Sequence, residues 1–269
     1  MQNANRSIKY APYMVFLLLL LIWEIAVAVN NTPAWLLPVP RQILVAIWEF
    51  KSLLFSHTLA TLAEALTGYV IAIGLAFAIA LILNNCRWLK AGFYPLLVVT
   101  QTIPLIILAI LLPIWFGFGL LPKIIIVVLV CFFPIVISFI DGLASVDSDQ
   151  LNLFRSMGAR PLQTFFMVKL PAAIPALFSG LRISATYSIM AAVISEWVGA
   201  RQGLGYFMTI AQKSFRLDQV LAAVTIICFL SLLLVKIIDW SEYLLAPWNR
   251  ISTEYDEDTV DKQLLKEEQ

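Results

Sequence analysis

Of the 269 residues, 61% are apolar or aromatic, only 13% are charged, and the mean hydropathy is +0.89. Soluble chains are about half apolar and a quarter charged, so a disordered chain, a collagen-like repeat and a disulfide scaffold are excluded and an integral membrane protein is expected. The net charge of +1 hides an uneven layout: residues 1–248 carry 15 Lys or Arg against 10 Asp or Glu, and residues 249–269 carry 3 against 7.

A helix needs about 20 apolar residues to cross a bilayer, and six stretches qualify. Residues 1–12 form a short cytoplasmic N-terminus ahead of the first span, 13–29. Arg6 and Lys9 precede that span as they would a cleaved signal. However, Trp23-Glu24 interrupts its later half and no small-x-small site follows, so a retained helix is expected. Residues 36–57 open on Pro38-Val39-Pro40. Ile43, Leu44, Ile47, Trp48 and Leu54 then recur at helical spacing with Arg41, Glu49 and Lys51 between them, which suits a helix lying in the outer interface. The lone His57 has no partners for a metal site and is expected at the same interface. The second, third and fourth spans cover 59–83, 93–116 and 121–140. The fifth and sixth cover 174–198 and 220–244. Residues 249–269 form an acidic cytoplasmic tail that buries too little apolar surface to fold alone.

With the N-terminus inside, the inner side receives ten Lys or Arg and the outer side six. The short inner loop Arg87-Trp88-Leu89-Lys90 agrees with that orientation, and both termini are then cytoplasmic. No basic cluster coincides with a groove-reading motif, so no nucleic-acid partner is expected. Cys86, Cys131 and Cys228 lie in or beside apolar segments without a CxxC pair and read as small buried hydrophobes. There is no HExxH, no GxSxG and no G-x-x-x-x-G-K-[ST], so an enzyme is not expected. Without the last of these motifs the chain cannot cradle ATP phosphates by that route.

The inner segment 141–173 is more than a hairpin. Gly142 and Ser145 loosen the end of the fourth span. Asp147 then offers an N-cap, with Gln150 placed to return to the cap's own amide. Leu151, Phe154 and Met157 follow at i, i+3, i+6, and Gly158 stops the helix, as a residue tolerant of positive φ does. Arg160-Pro161 opens a second short helix, and Lys169-Leu170-Pro171 leads into the fifth span. A capped helix, a Gly turn and a second helix, wet on one side and apolar on the other, have the shape of a knuckle that enters a groove on another protein.

The run from Asn152 to Pro161, continuing through Lys169-Leu170-Pro171 to Ser179-Gly180-Leu181-Arg182, resembles the EAA loop of ABC importer permeases. The family pattern is E-A-A-x-x-x-G and, nine residues later, I-x-L-P. Here Gly158 and Val168-Lys169-Leu170-Pro171 fill the second part, while Glu-Ala-Ala falls on Asn152-Leu153-Phe154. The family's acidic residue is thus replaced by Asn152, and insertion into a groove does not depend on it. Leu37-Pro38-Val39-Pro40, Gln101-Thr102-Ile103-Pro104, Trp115-Phe116-Gly117-Phe118-Gly119, Phe132-Phe133-Pro134-Ile135, Glu196-Trp197-Val198-Gly199 and Gly203-Leu204-Gly205-Tyr206 are similar to the nitrate/sulfonate/taurine subfamily over about residues 30–245.

The resemblance implies an all-α, type I importer permease of about six spans in the bacterial inner membrane. It also implies a second permease copy, two cytoplasmic ATPase subunits that bind ATP and magnesium, and a soluble binding protein that delivers substrate from outside. This chain itself would bind no cofactor. The ATPase-coupling loop then comprises Asp149, Leu151, Asn152, Leu153, Phe154, Arg155, Met157, Gly158, Ala159, Leu170 and Pro171.

Polar groups inside spans are costly and are functional candidates. Glu24, Lys236 and Asp239 lie near span ends, where they can reach water. Glu64 sits a turn and a half into the second span, and Arg182 two turns into the fifth, where a carboxylate or helix end is its expected partner. Gln101 and Pro104 lie in a span broken by Pro95, Pro104 and Pro113, and freed carbonyls there can line a pathway. Glu196 and Trp197, just before the Gly-rich outer segment 199–205, are the candidates for an outer gate. Unless it pairs with Arg201 or Arg182, a Glu196 carboxylate repels anions. That favours a neutral or cationic cargo, such as a thiamine-precursor pyrimidine or a flavin, over nitrate or sulfonate. The rival reading, a secondary transporter working alone, would want ion-coupling carboxylates at mid-membrane, and the few present lie mostly off-centre.

Overall fold

The computed structural model describes residues 2–248, so the acidic tail lies outside the described residues. The chain is a succession of helices: α1 (Gln2–Val29), α2 (Pro40–Glu49), α3 (Lys51–Asn85), α4 (Arg87–Thr100), α5 (Leu105–Phe116), α6 (Leu120–Ala144), α7 (Ser148–Ser156) and α8 (Pro161–Thr164). A π-helical turn (Phe165–Lys169) leads into α9 (Leu170–Glu196), followed by α10 (Leu204–Lys213) and α11 (Leu217–Leu245).

Four helices are long and apolar enough to cross a membrane: Lys51–Asn84, Leu120–Ala144, Pro161–Glu196 and Leu217–Leu245. The first expected span appears as a shorter apolar helix, Met14–Val29. The third expected span, 93–116, is corrected by the structure. It is not one straight crossing, because α4 and α5 meet at 98°. Pro104 supplies the reason, since it has no N–H to donate to the Thr100 carbonyl and its ring disfavours a helical residue before it.

Small residues set how closely α3, α6 and α9 approach. Ala65, Ala72, Ala76 and Ala80, with Tyr69, make a buried seam along α3. A Cβ on Gly68 would sit 2.5 Å from the Val127 Cβ, and one on Gly180 would sit 2.7 Å from the Pro134 carbonyl oxygen. Such seams let backbones approach where lipid offers no hydrophobic drive to association. Polar pairs then fix the register. Tyr69 donates to the Leu181 carbonyl at 2.8 Å, and Ser184 donates to the Cys131 carbonyl at 2.9 Å. Cys131 is buried as expected, whereas Cys228 is exposed on α11.

A second core at the other end gathers Ile43, Ala46, Leu54, Leu204, Phe207, Ala222 and Ala223. The 36–57 segment thus divides. Ile43, Ile47 and Leu54 pack inward, Leu44 and Trp48 stay exposed, and α3 already begins at Lys51.

Candidate functional site

The segment between α6 and α9 has the expected helix–turn–helix form. Asp147 caps α7, its Oδ1 accepting the Asp149 N–H at 3.0 Å; Asp149 makes the capping contact where Gln150 was expected to complete a box. Gly158 has φ +77 and ends the helix, with the Ala159 N–H donating to the Phe154 carbonyl at 3.0 Å. Pro161 occupies the first position of α8, and Gln163 Oε1 accepts the Arg160 N–H at 2.8 Å.

The apolar stripe is redistributed. Leu151 and Phe154 are half-buried, while Leu153 (59% exposed) and Met157 (74%) are exposed together with Leu162 and Phe166 beyond the turn. Asp149, Asn152, Arg155 and Gly158 are exposed, and Ala159, Leu170 and Pro171 are half-buried. Nine of the eleven expected loop residues lie on this knuckle, Leu170 and Pro171 open α9, and none of the eleven is buried.

The second feature is the break between α4 and α5. Gln101, Thr102, Ile103 and Pro104 are all exposed and line a cavity of about 430 Å³ with Leu105 and Leu108, closed by Phe133 and Pro134 of α6 and by Tyr187 and Met190 of α9. Phe133 lies halfway along α6, which places the cavity at the depth of the membrane interior. Non-helical backbone is tolerated at that depth only if protein buries it or water reaches it.

The third feature surrounds Glu196, which is 1% exposed at the end of α9. Its Oε1 accepts from the Thr61 hydroxyl at 2.7 Å and its Oε2 from the Gly205 N–H at 2.6 Å. The Leu204 N–H donates to Thr61 Oγ1 at 2.8 Å, and the Gly203 N–H to His57 Nδ1 at 3.0 Å. Three successive N–H groups at the start of α10, orphans of any helix start, are thus bolted to α3 and α9. Gly203 has φ +118, and a Cβ there would collide with the Glu196 carboxyl, so glycine is required.

Several expectations change here. His57 is buried, at 8% exposure, near the start of α3. Glu196 pairs with neutral donors rather than with Arg201 or Arg182. Arg182 instead binds Asp239 at 2.7 Å and Glu242, tying α9 to α11, which fits its expected carboxylate partner. Glu64 is 3% exposed and holds Lys123 at 2.6 Å. Trp197 is 46% exposed, beside the sealed Glu196.

Thr61, Lys123, Phe133 and Tyr187 are not among the expected site residues. For Thr61 the signal was present, since His57, Thr61 and Glu64 lie at i, i+4, i+7 on one helix face. Among the described residues no group of three His, Cys, Asp or Glu could hold a metal.

The chain was compared with known proteins. Residues 68–251 match the family model described as binding-protein-dependent transport system inner membrane component. The formylaminopyrimidine transport permease ThiX of Halalkalibacterium halodurans is 36% identical over 240 residues, 89% of this chain and 96% of that protein. The riboflavin transport system permease RibX of Chloroflexus aurantiacus is 32% identical over 237 residues, 87% and 88% of the two chains. A solved amino acid ABC transporter superposes with a TM-score of 0.63 at 18% identity, covering 74% of this chain and 97% of that one, which supports the fold. This chain belongs to the family of binding-protein-dependent transport system inner membrane components and is a multi-pass permease subunit of an ABC importer.

Proposed function

We propose that two copies of this permease form the pathway, with both termini cytoplasmic in a bacterial inner membrane. Two ATPase subunits, carrying ATP and magnesium, drive it from inside, and a soluble binding protein delivers the cargo from outside. Asp149, Leu151, Asn152, Leu153, Phe154, Arg155, Met157, Gly158, Ala159, Leu170 and Pro171 form the coupling loop. Leu153 and Met157 enter the ATPase groove, Gly158 sets the turn, and Leu170 and Pro171 pass the displacement into α9. Gln101 and Pro104 line the pathway. Trp197 stands at the outer gate, with Glu196 bracing the segment behind it. The cargo is a thiamine-precursor pyrimidine or a related small organic molecule, in line with the similarity to a formylaminopyrimidine transport permease. ATP binding closes the ATPases and shifts the loop, the spans rock from inward-open to outward-open, and hydrolysis resets them.

The observation that carries this reading is the exposed, capped knuckle with Leu153, Met157 and Leu162 outermost. It joins α6 to α9, the two helices whose middles close the 430 Å³ cavity. The test is Gly158→Val, a β-branched residue at φ +77. Expected are loss of ATPase co-purification and loss of uptake. ATPase subunits that still co-purify with uptake intact would remove the loop from the mechanism, and uptake insensitive to ATP depletion would favour a secondary transporter.

A further inference from the structure

The cavity at the α4–α5 break has an unusual polar inventory. No Lys, Arg, His, Asp or Glu lines it. Its two threonines spend their hydroxyl protons on their own helix turn, Thr100 on the Leu97 carbonyl and Thr102 on the Val99 carbonyl, each at 2.7 Å. Both therefore face the cavity with lone pairs alone. The turn adds carbonyls. The Gln101, Thr102 and Ile103 N–H groups fold back on Val98, Val99 and Thr100, and no described residue donates to the Gln101, Thr102 or Ile103 carbonyl. Against these five oxygens stand two neutral donors, the Gln101 amide and the Tyr187 hydroxyl, neither of which is hydrogen-bonded to a described residue.

We infer that this cavity is a transient cargo site selective for an uncharged planar ring bearing N–H or NH₂ donors, and that Gln101 and Tyr187 read it. An ammonium-free, acceptor-rich wall at membrane depth leaves a sulfonate or carboxylate without compensation for its lost hydration. A ring amine satisfies carbonyls that have no other partner, as backbone oxygens do when they replace an ion's water shell. The Gln101 amide can donate to a ring nitrogen and accept from an exocyclic amine at once. Phe133 and Leu108 supply apolar walls, and about 430 Å³ is within the range of small-molecule sites. The inference rests on the importer reading above and adds a charge class and two specificity-determining side chains to it.

The experiment uses the permease assembled with its ATPase subunits in nanodiscs, without nucleotide or binding protein. Equilibrium dialysis measures binding of radiolabelled 4-amino-5-hydroxymethyl-2-methylpyrimidine and of ethanesulfonate. The expected result is at least tenfold tighter binding of the pyrimidine. Gln101→Leu should lose that preference at least tenfold without gaining ethanesulfonate, whereas Gln101→Lys should reverse it by placing an ammonium among the oxygens. Should the lysine variant fail to assemble, the leucine variant decides. Equal binding of the two probes, absence of saturable pyrimidine binding, or an unchanged preference in Gln101→Leu overturns the inference. Uptake with the loaded binding protein is measured on the same preparation. Loss of ATP dependence there sinks the importer reading, whereas anion selectivity with ATP-driven uptake intact sinks only the inference about this cavity.

Discussion

Glu196→Ala removes the acceptor of the buried Gly205 N–H, held at 2.6 Å, and the nearer of two acceptors of the Thr61 hydroxyl, at 2.7 Å, leaving that hydroxyl the His57 carbonyl at 3.2 Å. An unsatisfied N–H costs about 1–3 kcal/mol and exchanging a carboxylate acceptor for a neutral one about 1 kcal/mol, so the gross loss is about 2–4 kcal/mol. Part of it returns, because the Glu64 carboxylate lies close by with a single ammonium, Lys123, to balance it, and like charges repel. The net expectation is therefore about 2–3 kcal/mol, the lower end of that range. Glu196→Gln should cost less than about 1 kcal/mol. Its oxygen still accepts from Gly205, and its amide can donate to Thr61 Oγ1, a hydroxyl with two lone pairs. Amide hydrogen exchange by mass spectrometry on the detergent-solubilised complex separates the two. Exchange across residues 203–207 should accelerate roughly 30- to 150-fold in the alanine variant and less than about fivefold in the glutamine variant, since 1.4 kcal/mol is tenfold. A peptide from the middle of α6 serves as reference and should not change. Equal exchange in the two variants, or none of the acceleration in Glu196→Ala, would refute the view that this side chain bolts down the start of α10.

Gly203→Ala forces a Cβ into the Glu196 carboxyl at φ +118 and should lower the melting temperature of the complex by several degrees. The control Gly74→Ala meets nothing within 4 Å and should leave it unchanged or raise it, since Gly to Ala in a helix gains about 1 kcal/mol. Lys123→Met leaves the Glu64 carboxylate buried without its cation, at a cost of about 3–5 kcal/mol in denaturant titration. Adding Glu64→Gln should recover most of that loss, and failure of the double variant to recover would exclude the ion pair as the cause. Arg182→Ala takes away the cation bound to Asp239 and Glu242. At about one-third exposure it should cost only about 1–2 kcal/mol, read as increased proteolysis of α11 rather than as loss of the fold.

Where one helix's own periodicity or caps decide the outcome, the sequence was a good guide. Gly158 at φ +77, Pro161 at the first position of α8 and Asp147 as a cap are local matters, and each stands where its chemistry places it. The apolar runs likewise marked α6 and α11 within a few residues. What the sequence concealed depends on neighbours. Proline spacing showed that the third span was disturbed, yet Pro95 and Pro113 sit inside continuous helices and only Pro104 coincides with the 98° bend. Glu196 carried the opposite ambiguity. A carboxylate before a glycine-rich segment is compatible with a gate or with a brace. Only the folded chain brings Thr61, 135 residues away, into contact with it. The role of His57 was hidden for the same reason, since its partner Gly203 is 146 residues distant.

The distribution of stiffness limits how the molecule can work. α3, α6 and α9 share an alanine and glycine seam so tight that a methyl group on Gly68, Gly142 or Gly180 would strike a neighbour's backbone or side chain. Close-packed interiors transmit displacement rather than absorb it, so these three helices move as one body. α7 hangs from one end of that body, between α6 and α9. At the opposite end sits α10, pinned by His57, Thr61 and Glu196 to the start of α3 and the end of α9. A push on Leu153 and Met157 can therefore not be lost within the seam. It is expected where the chain is not seamed, at the 101–104 turn between α4 and α5, whose Gln101, Thr102 and Ile103 carbonyls meet no N–H of a described residue. The cavity wall is made of one rigid side, Phe133 and Tyr187, and one deformable side, Gln101 to Pro104. Under the proposed coupling, moving the first against the second turns a force on the α7 knuckle into a change in the grip on whatever occupies those 430 Å³.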